Sequence, residues 1–167
     1  MGRMAKARTT KGATPAVAAL EAARVRYALH TYDVDPNQED YGVAVAHALG
    51  VDPARVYKSL VAKIDGADLV CAVIPVERRL DQKALARAVG GRQAALAERA
   101  EAERRTGYVR GGISPLGQRQ PLPVVVDGSA LDHSTMYVSA GRRGLQIELA
   151  PSDLVRLTGA QIAPVVV

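Results

Sequence analysis

The sequence predicts a mixed α/β domain in which a mostly antiparallel, barrel-like sheet is flanked by helices. Three observations lead to this fold class. Helical and strand patterns are interspersed along the 167 residues without the strand–helix–strand regularity of a doubly wound sheet. Consecutive β-rich runs are joined by short turns, most clearly at Asp65-Gly66. Phe and Trp are absent while 48% of the residues are hydrophobic, so a single core is built from Ala, Val, Leu and Ile.

The first half of the chain contains the clearest start and turn signals. Thr14 can cap the free N–H groups of a helix, and Pro15 suits the first turn because its missing donor is not needed there. Gly50 is placed to end a second helix. The predicted elements are a helix from Thr14 to Arg24, a strand from Val25 to Thr31, a helix from Gly42 to Leu49, and two strands, Val56 to Ile64 and Leu69 to Val76, joined as a hairpin.

The second half contains a long loop between two groups of elements. Asp81 can cap a helix that ends before Gly90-Gly91. The segment from Gly107 to Pro123 is rich in Gly, Pro and Ser, which predicts a loop. The predicted elements are helices from Asp81 to Val89 and from Ala94 to Arg105, strands from Val124 to Val126, Met136 to Ser139 and Leu145 to Leu149, a capped helix starting near Pro151-Ser152-Asp153, and a closing strand from Ile162 to Val167.

Hydropathy and cysteine content exclude several classes of protein. The longest apolar run, Leu69 to Val76, is far shorter than the ~20 residues of a transmembrane helix, and no apolar segment follows the basic residues of the N-terminus as in a secretory signal. We therefore expect a cytoplasmic protein with no membrane partner. The one cysteine, Cys71, can form neither an internal disulfide nor a Cys-based zinc site.

The positive charge of the chain is concentrated at its N-terminus. The formal net charge is +5, and four of the 22 Lys and Arg residues lie within residues 1–12, which leaves 18 basic against 17 acidic residues. We expect residues 1–13 to form a basic, flexible arm and residues 14–167 to form the domain. The arm suits a solubilising tail, and it also permits steering of an RNA partner.

Lys58 is the leading single-residue candidate for a functional site. Side chains alternate across a strand, so Lys58 shares its face with the apolar residues Val56, Leu60, Ala62 and Ile64. A buried lysine is costly unless it is paired, or unless a site uses it as a cation or as a base with a shifted pKa. The alternative is an ammonium that reaches solvent or a carboxylate at the strand end.

Two glycine-rich loops are candidates for binding an anion or a carbonyl oxygen. In the loop from Thr106 to Gly117, exposed N–H groups around Gly111 and Gly112 could form an oxyanion-type site; an ordinary structural turn around Pro115 is the alternative. The loop from Ser139 to Gly144 carries two arginines, which suit a phosphate and equally suit a solvated hairpin tip.

Neither a metal site nor a protein nucleophile is predicted. The three histidines, His30, His47 and His133, have no spacing that would build a metal site or a nucleophile–base pair, and Cys71 is most simply a small buried hydrophobe. We therefore expect no metal and no cofactor.

Several short motifs occur in a fixed order along the chain: Thr14-Pro15-Ala16, His30-Thr31-Tyr32, Val56-Tyr57-Lys58, Thr106-Gly107-Tyr108, Gly111 to Gln118, Tyr137-Val138-Ser139, Arg143-Gly144-Leu145 and Ile147-Glu148-Leu149. In this order they resemble the motifs of the YbaK/EbsC family, and most closely its YbaK branch, the Cys-tRNA(Pro) deacylases. The likeness runs from Thr14 to about Thr158, and its most specific part is the GGISPLGQ loop beginning at Gly111.

The resemblance implies a trans-editing enzyme that removes cysteine from mischarged proline tRNA. It implies a barrel-like α/β fold, the tRNA(Pro) acceptor end as partner, and prolyl-tRNA synthetase as a further partner that supplies tRNA specificity. It places the family's important lysine at Lys58 and its glycine-loop backbone at Gly111. The implied substrate-binding positions are Tyr32, Tyr41, Ser59, Gly112, Ser114, Ser139 and Gln146.

The family mechanism also accounts for the missing nucleophile. In the YbaK branch the thiol of the substrate cysteine attacks its own ester and releases a cyclic thiolactone, so the protein holds and polarises the ester. This chain departs from the family pattern at Gln146, where an aspartate is usual, and at Tyr41, where a phenylalanine is usual. The alternatives are a deacylase for Ala-tRNA(Pro) or for a broader range of aminoacyl-tRNAs, and a non-catalytic module that binds tRNA or a synthetase.

Overall fold

The computed structural model describes residues 13–167. The helices in this part of the chain are α1 (Pro15–Ala22), α2 (Tyr41–Leu49), α3 (Gln82–Ala88), α4 (Arg99–Thr106) and α5 (Pro151–Thr158). The strands are β1 (Ala28–Thr31), β2 (Tyr57–Ile64), β3 (Asp68–Pro75), β4 (Ala94–Leu96), β5 (Val124–Asp127), β6 (Met136–Ser139), β7 (Leu145–Leu149) and β8 (Gln161–Ala163). The predicted basic arm lies outside the described residues except for Ala13.

The mixed α/β fold class is confirmed, but the strands form two open sheets and not a barrel. The small sheet has the order β1-β7-β6, and the large sheet has the order β4-β2-β3-β5-β8. Pairing is mostly antiparallel, with parallel pairs at β3-β5 and β5-β8. The sheets meet at a single bridge between Val56 and Tyr137. Beyond it β2 and β6 do not pair, so the strand ring that a barrel requires is not closed.

Three apolar clusters hold the layers together. The largest lies between the two sheets and includes Leu20 of α1, Val73 of β3, Ile147 of β7 and Leu154 of α5. A second cluster covers the outer face of the large sheet beneath α3. A third lies between α2 and the outer face of the small sheet. α2 is the only described helix in this third cluster. Its position therefore sets the space between the helix and the outer face of the small sheet.

The local signals read from the sequence are confirmed at most element ends. Thr14 Oγ1 accepts a hydrogen bond from Val17 N at 3.1 Å, as a capping threonine should. Gly50 ends α2 in the left-handed conformation. The hairpin turns at Asp65 and Gly66, whose φ angles of 51° and 70° fit a tight primed turn. The segment from Gly107 to Pro123 is irregular, as predicted.

Tertiary pairing corrects several predicted boundaries. The helix predicted from Ala94 begins only at Arg99, because Ala94–Leu96 pairs with Ala62–Ile64 as an edge strand. The strand predicted from Val25 is paired only over Ala28–Thr31. The closing strand is Gln161–Ala163, parallel to β5. The last helix starts at Pro151 as predicted, but the preceding Ala150 provides no side-chain cap. No helix in the described range is long and apolar enough to cross a membrane.

Candidate functional site

Lys58 lies near the start of β2, partly buried. Its strand face continues into Leu60, Ala62 and Ile64, as the alternation predicted. The Nζ atom donates to the Val76 carbonyl oxygen at 3.4 Å, and no carboxylate of the described residues lies within 4.0 Å of it. An ammonium carries three donors. With one of them engaged, the cation has capacity left to bind a ligand.

Burial and a nearby acid act in opposite directions on the ionisation of this lysine. Desolvation lowers the pKa of Lys58 below the usual lysine value, and the charge of Asp40 raises it in part. Asp40 immediately precedes α2 and adopts a left-handed conformation with φ 53°. Close packing seats this end of the helix, since a Cβ on Gly42 would lie 2.6 Å from Val76 Cγ1. Residues at the start of α2 therefore lie beside the Lys58 ammonium.

Tyr32 and Tyr41 form a pair at the same end of α2. Tyr32 follows β1 directly, and Tyr41 is the first residue of the helix. Their hydroxyl groups are 3.1 Å apart, and their rings meet edge to face with centroids 6.4 Å apart. Burial raises the pKa of Tyr41, its hydrogen bond with Tyr32 adds to this, and the charge of Arg143 opposes it. The Tyr41 phenol therefore stays protonated at neutral pH.

Ser139 and Gln146 lie opposite each other in the small sheet, with His30 on the third strand of the same row. Ser139 Oγ accepts from Gly141 N at 3.1 Å. Gln146 is 6% exposed, and its Oε1 is buried without a hydrogen-bond partner among the described residues. Val56 and Tyr137 form a parallel bridge. Lys58 and Ser139 each follow the bridge by two residues, so they lie on the same face as the bridged residues of their strands. Lys58, Ser139 and Gln146 therefore belong to the same region, next to the start of α2.

The side chain of Ser59 does not lie on the same face of the sheet as the Lys58 ammonium. As the next residue of the strand it points to the opposite face, towards the large cluster that contains Tyr57 and Val61. Its Oγ is buried without a hydrogen-bond partner among the described residues, although it approaches the thiol of Cys71. Burial raises the pKa of Cys71 to about 11. A side-chain contact from Ser59 to a ligand held by Lys58 would need a rearrangement of β2.

Of the two backbone N–H groups predicted to be exposed at Gly111 and Gly112, only that of Gly111 is available. Gly111 is exposed with φ 87°, and its N–H donates to no group in the described part of the chain. The N–H of Gly112, predicted to be exposed, instead donates to the Val109 carbonyl at 2.8 Å because it closes a turn. Ser114 is fully buried and accepts from Leu116 N at 3.2 Å. Ser114 thus shapes the loop from inside.

Arg143 links this loop to the tyrosine pair, although it was not among the predicted site residues. Its Nε donates to the Arg110 carbonyl at 3.0 Å, and a Cβ on Gly111 would lie 2.8 Å from the same nitrogen. A Cβ on Gly112 would lie 2.8 Å from Arg142 Cα. The two glycine-rich loops are thus packed on each other. The glycines and arginines of both loops were visible signals in the sequence, but their contact was not.

A polar network borders the site on the small sheet. Glu148 accepts from Thr135 Oγ1 at 2.6 Å and contacts His30 Nε2 at 2.9 Å, with Arg55 Nη2 at 3.5 Å. Burial alone would raise the pKa of Glu148, but the hydrogen bonds from Thr135 and His30 and the charge of Arg55 outweigh it and hold the pKa below its usual range. His30 therefore has a structural partner. No cluster of metal-binding side chains is found in residues 13–167.

Residues 35–157 of the chain match the family model of the aminoacyl-tRNA editing domain. The chain belongs to this family. The matched range contains most of the site, including Lys58, Gly111 and Arg143. It begins after Tyr32, which reaches the site from β1.

Relatives in this family are named for deacylation of aminoacyl-tRNA. An Enterococcus faecalis protein, EbsC, provisionally named a Cys-tRNA(Pro)/Cys-tRNA(Cys) deacylase, is 40% identical over 73% of this chain and 74% of its own length. The multifunctional Ser/Thr-tRNA deacylase ProXp-y of Escherichia coli is 28% identical over 71% of this chain and 74% of its own length.

Solved structures have the same fold. A provisionally named trans-editing enzyme for prolyl-tRNA synthetase superposes with a TM-score of 0.79 at 25% identity, covering 92% of this chain and 95% of the other. The hypothetical protein APE2540 superposes with a TM-score of 0.81, also at 25% identity, covering 92% of this chain and 100% of the other.

Proposed function

We propose that this protein is a trans-editing deacylase that removes cysteine from mischarged Cys-tRNA(Pro) in the cytoplasm. The observation that carries the proposal is the half-buried Lys58 ammonium, which has a carbonyl partner and no ion pair. It lies in a region lined by Tyr32, Tyr41, Ser139 and Gln146. The identity to EbsC supports the cysteinyl substrate, and the structural likeness to a trans-editing enzyme supports action on tRNA charged by prolyl-tRNA synthetase.

In the proposed reaction the protein positions the ester and the substrate supplies the nucleophile. Lys58 holds the aminoacyl end of the tRNA, and the free N–H of Gly111 donates to the ester carbonyl oxygen, where negative charge develops. The substrate thiol then attacks the carbonyl carbon. A C–S bond forms, the C–O bond to the terminal ribose breaks, and the thiol proton ends on the ribose oxygen. The products are free tRNA and a cyclic thiolactone.

The buried cysteine of the protein supports a substrate nucleophile. A thiol whose pKa is raised to about 11 by burial is almost entirely protonated at neutral pH and is a poor nucleophile. Cys71 also lies in the core, away from the Lys58 face of the sheet. The enzyme then needs to hold the ester and its internal nucleophile in a reactive geometry, and such orientation can supply several kcal/mol of the barrier, up to about 11 kcal/mol.

A broader deacylase is the second candidate, and Gln146 favours it. A neutral amide stands where the YbaK branch has an aspartate, so the charge at this position of the pocket differs. The Escherichia coli relative is named for Ser- and Thr-tRNA. In that case water or a tRNA hydroxyl replaces the substrate thiol as nucleophile, and alanyl or seryl esters are also cleaved.

The deciding experiment compares amino acid release from Cys-, Ala- and Ser-charged tRNA(Pro) by wild type, Lys58→Ala and the control Lys83→Ala. Lys83 is exposed on α3. We expect lysine-dependent turnover of the cysteinyl ester, reduced at least 100-fold by Lys58→Ala and unchanged by Lys83→Ala. Turnover of Ala or Ser esters at a similar rate would favour the broader deacylase. Binding of tRNA without turnover would contradict catalysis and leave a binding module.

We also propose that prolyl-tRNA synthetase is a partner. A site made of a few residues around Lys58 would contact the aminoacyl end of the substrate and little of the rest of a tRNA. Selection of tRNA(Pro) would then depend on the synthetase. The expected result is that added synthetase raises discrimination between tRNA(Pro) and another tRNA carrying the same amino acid, measured as the ratio of kcat/KM values.

A further inference from the structure

Charged side chains of both signs lie next to the candidate site. The segment between β1 and α2 carries four exposed acids, Asp33, Asp35, Glu39 and Asp40. The two packed glycine-rich loops carry three exposed arginines, Arg110, Arg142 and Arg143, and the Tyr32 N–H donates to the Gly144 carbonyl at 3.1 Å, which joins the acidic segment to the second of these loops. The excess of positive charge is local, because residues 13–167 contain 18 basic and 17 acidic residues.

The three arginines form no close ion pair with an acid in residues 13–167. None of them has a carboxylate within 4.0 Å. Glu103 is the neighbouring acid, and its Oε2 is already an acceptor for Arg99 Nε at 3.0 Å and for the backbone N–H of Arg110 at 2.8 Å. Arg143 uses its Nε to hold the Arg110 carbonyl, which leaves its two terminal NH₂ groups for a ligand.

We propose that Arg110, Arg142 and Arg143 form a phosphate-binding rim that holds the RNA backbone next to the aminoacyl adenosine, so that the tRNA 3′ end enters from the arginine side. This rests on the proposed function, since it assigns the backbone contacts of the same substrate. The exposed acids between β1 and α2 repel phosphate groups, so the arginines are where the RNA backbone is attracted. Guanidinium groups bind phosphate oxygens in a bidentate manner, which suits Arg143 with its Nε already anchored.

The arrangement joins backbone recognition to the reaction centre. Arg143 contacts the loop at Arg110 and Gly111 and also influences the ionisation of Tyr41. Asp40, next in sequence to Tyr41, lies near enough to Lys58 to affect its ionisation. A phosphate held by Arg143 would therefore lie close to the Gly111 part of the loop. Arg143 acts as a positioning residue that places the ester over the glycine.

The experiment measures binding of an uncharged acceptor-stem RNA with a CCA end across a salt series, together with deacylation of charged tRNA. The variants are Arg143→Gln, Arg142→Gln and the control Arg92→Gln. Arg92 is exposed, and its N–H bonds to Asp65 at the hairpin turn, seven residues or about 23 Å along β2 from Lys58. The Arg142 variant keeps the Arg143 to Arg110 hydrogen bond intact, so it tests the rim without altering the loop contact.

The expected result is that each rim variant weakens RNA binding about tenfold and makes the slope of log affinity against log salt shallower by about 0.7, the value for one lost contact to single-stranded RNA. Arg92→Gln should leave both unchanged. Equal RNA affinities and equal salt slopes for wild type and both rim variants would overturn the proposed phosphate-binding rim. Deacylation by wild type would in that case still support the proposed function. Competition by inorganic phosphate without any binding of RNA would also overturn it. Absence of both RNA binding and deacylation in wild type would overturn the proposed function itself.

Discussion

The half-buried ammonium of Lys58 lowers the stability of the folded protein. Burial lowers its pKa, so the folded state holds the proton less tightly than the unfolded chain. The charged ammonium therefore costs stability at every pH below the folded pKa, and this cost disappears as the pH rises past the unfolded value near 10.5. A half-buried cation that destabilises the folded state in this way is a candidate functional residue.

Replacing Lys58 by methionine tests whether the half-buried ammonium destabilises the fold while being required for deacylation. The apolar side chain has a similar length and lies beside Leu60 and Ile64, so we expect a thermal midpoint no lower than that of wild type at pH 7, with deacylation lost. Any stability gain should shrink as the pH approaches 10.5. The check is thermal unfolding from pH 6 to 10 with activity measured in parallel. A marked loss of stability at pH 7 would show that Lys58 is mainly structural.

Gly111 and Gly66 provide a matched pair of glycine substitutions. Both have left-handed backbones, with φ of 87° and 70°, so alanine should cost about 1 kcal/mol of backbone strain at either position. Only at Gly111 does the new Cβ meet a neighbour, Arg143 Nε at 2.8 Å, while Gly66 is open. We expect both variants to lose similar stability and only Gly111→Ala to lose activity, at least tenfold. Equal activity in the two variants would contradict a role for Gly111.

At the scale of elements, α2 is the piece that organises the site. Its first turn carries Tyr41, and its residue Gly42 allows contact with Val76, whose carbonyl binds Lys58. Its far turns pack on the small sheet through Ala46 and Leu49. The helix thus joins the two sheets close to the Val56–Tyr137 bridge, and a shift of its first turn would move the tyrosine pair and the Lys58 partner together.

Gly42→Ala tests this seating. In a solvated helix, alanine would be more stable than glycine by up to about 1 kcal/mol. Here the added Cβ would lie 2.6 Å from Val76 Cγ1, so we expect a loss of about 1 to 3 kcal/mol as for other overpacked sites, with reduced activity. Chemical denaturation measures the first and deacylation the second. An added Cβ would also lie 2.7 Å from Val76 Cβ, so combining Gly42→Ala with Val76→Gly, which removes both atoms, should recover activity relative to Gly42→Ala alone. Failure to recover it would mean that α2 is not seated by this contact.

At the scale of the whole molecule, the domain and its N-terminal segment have separate charge balances. Removing residues 1–12 takes away four of the 22 basic residues, and the described apolar clusters begin only at Ala16. We expect this deletion to leave the thermal midpoint within about 1 °C of wild type and to leave kcat/KM unchanged near physiological salt, with a decrease only at low salt where long-range attraction is strong. Loss of activity at every salt concentration would instead make the segment part of the RNA-binding surface.

The sequence by itself determined the local features of this protein. The Thr14 cap, the Asp65-Gly66 hairpin, the end of α2 at Gly50 and the irregular glycine-rich segment all depend on interactions within a few residues, and each was confirmed. The ordered motifs also predicted the family, and the match to the aminoacyl-tRNA editing domain confirmed it. The presence of Lys58 on an apolar strand face followed from the alternation of side chains alone.

Only the tertiary structure decided how these parts meet. It turned Ala94–Leu96 into an edge strand because β2 offered free hydrogen-bonding groups, and it left two open sheets where a barrel was predicted because β2 and β6 do not pair beyond one bridge. It separated Ser59 from Lys58, engaged the Gly112 N–H in a turn, and brought Arg143 onto Gly111. These outcomes depend on contacts between residues far apart in the chain, whose energies no local pattern of side chains contains.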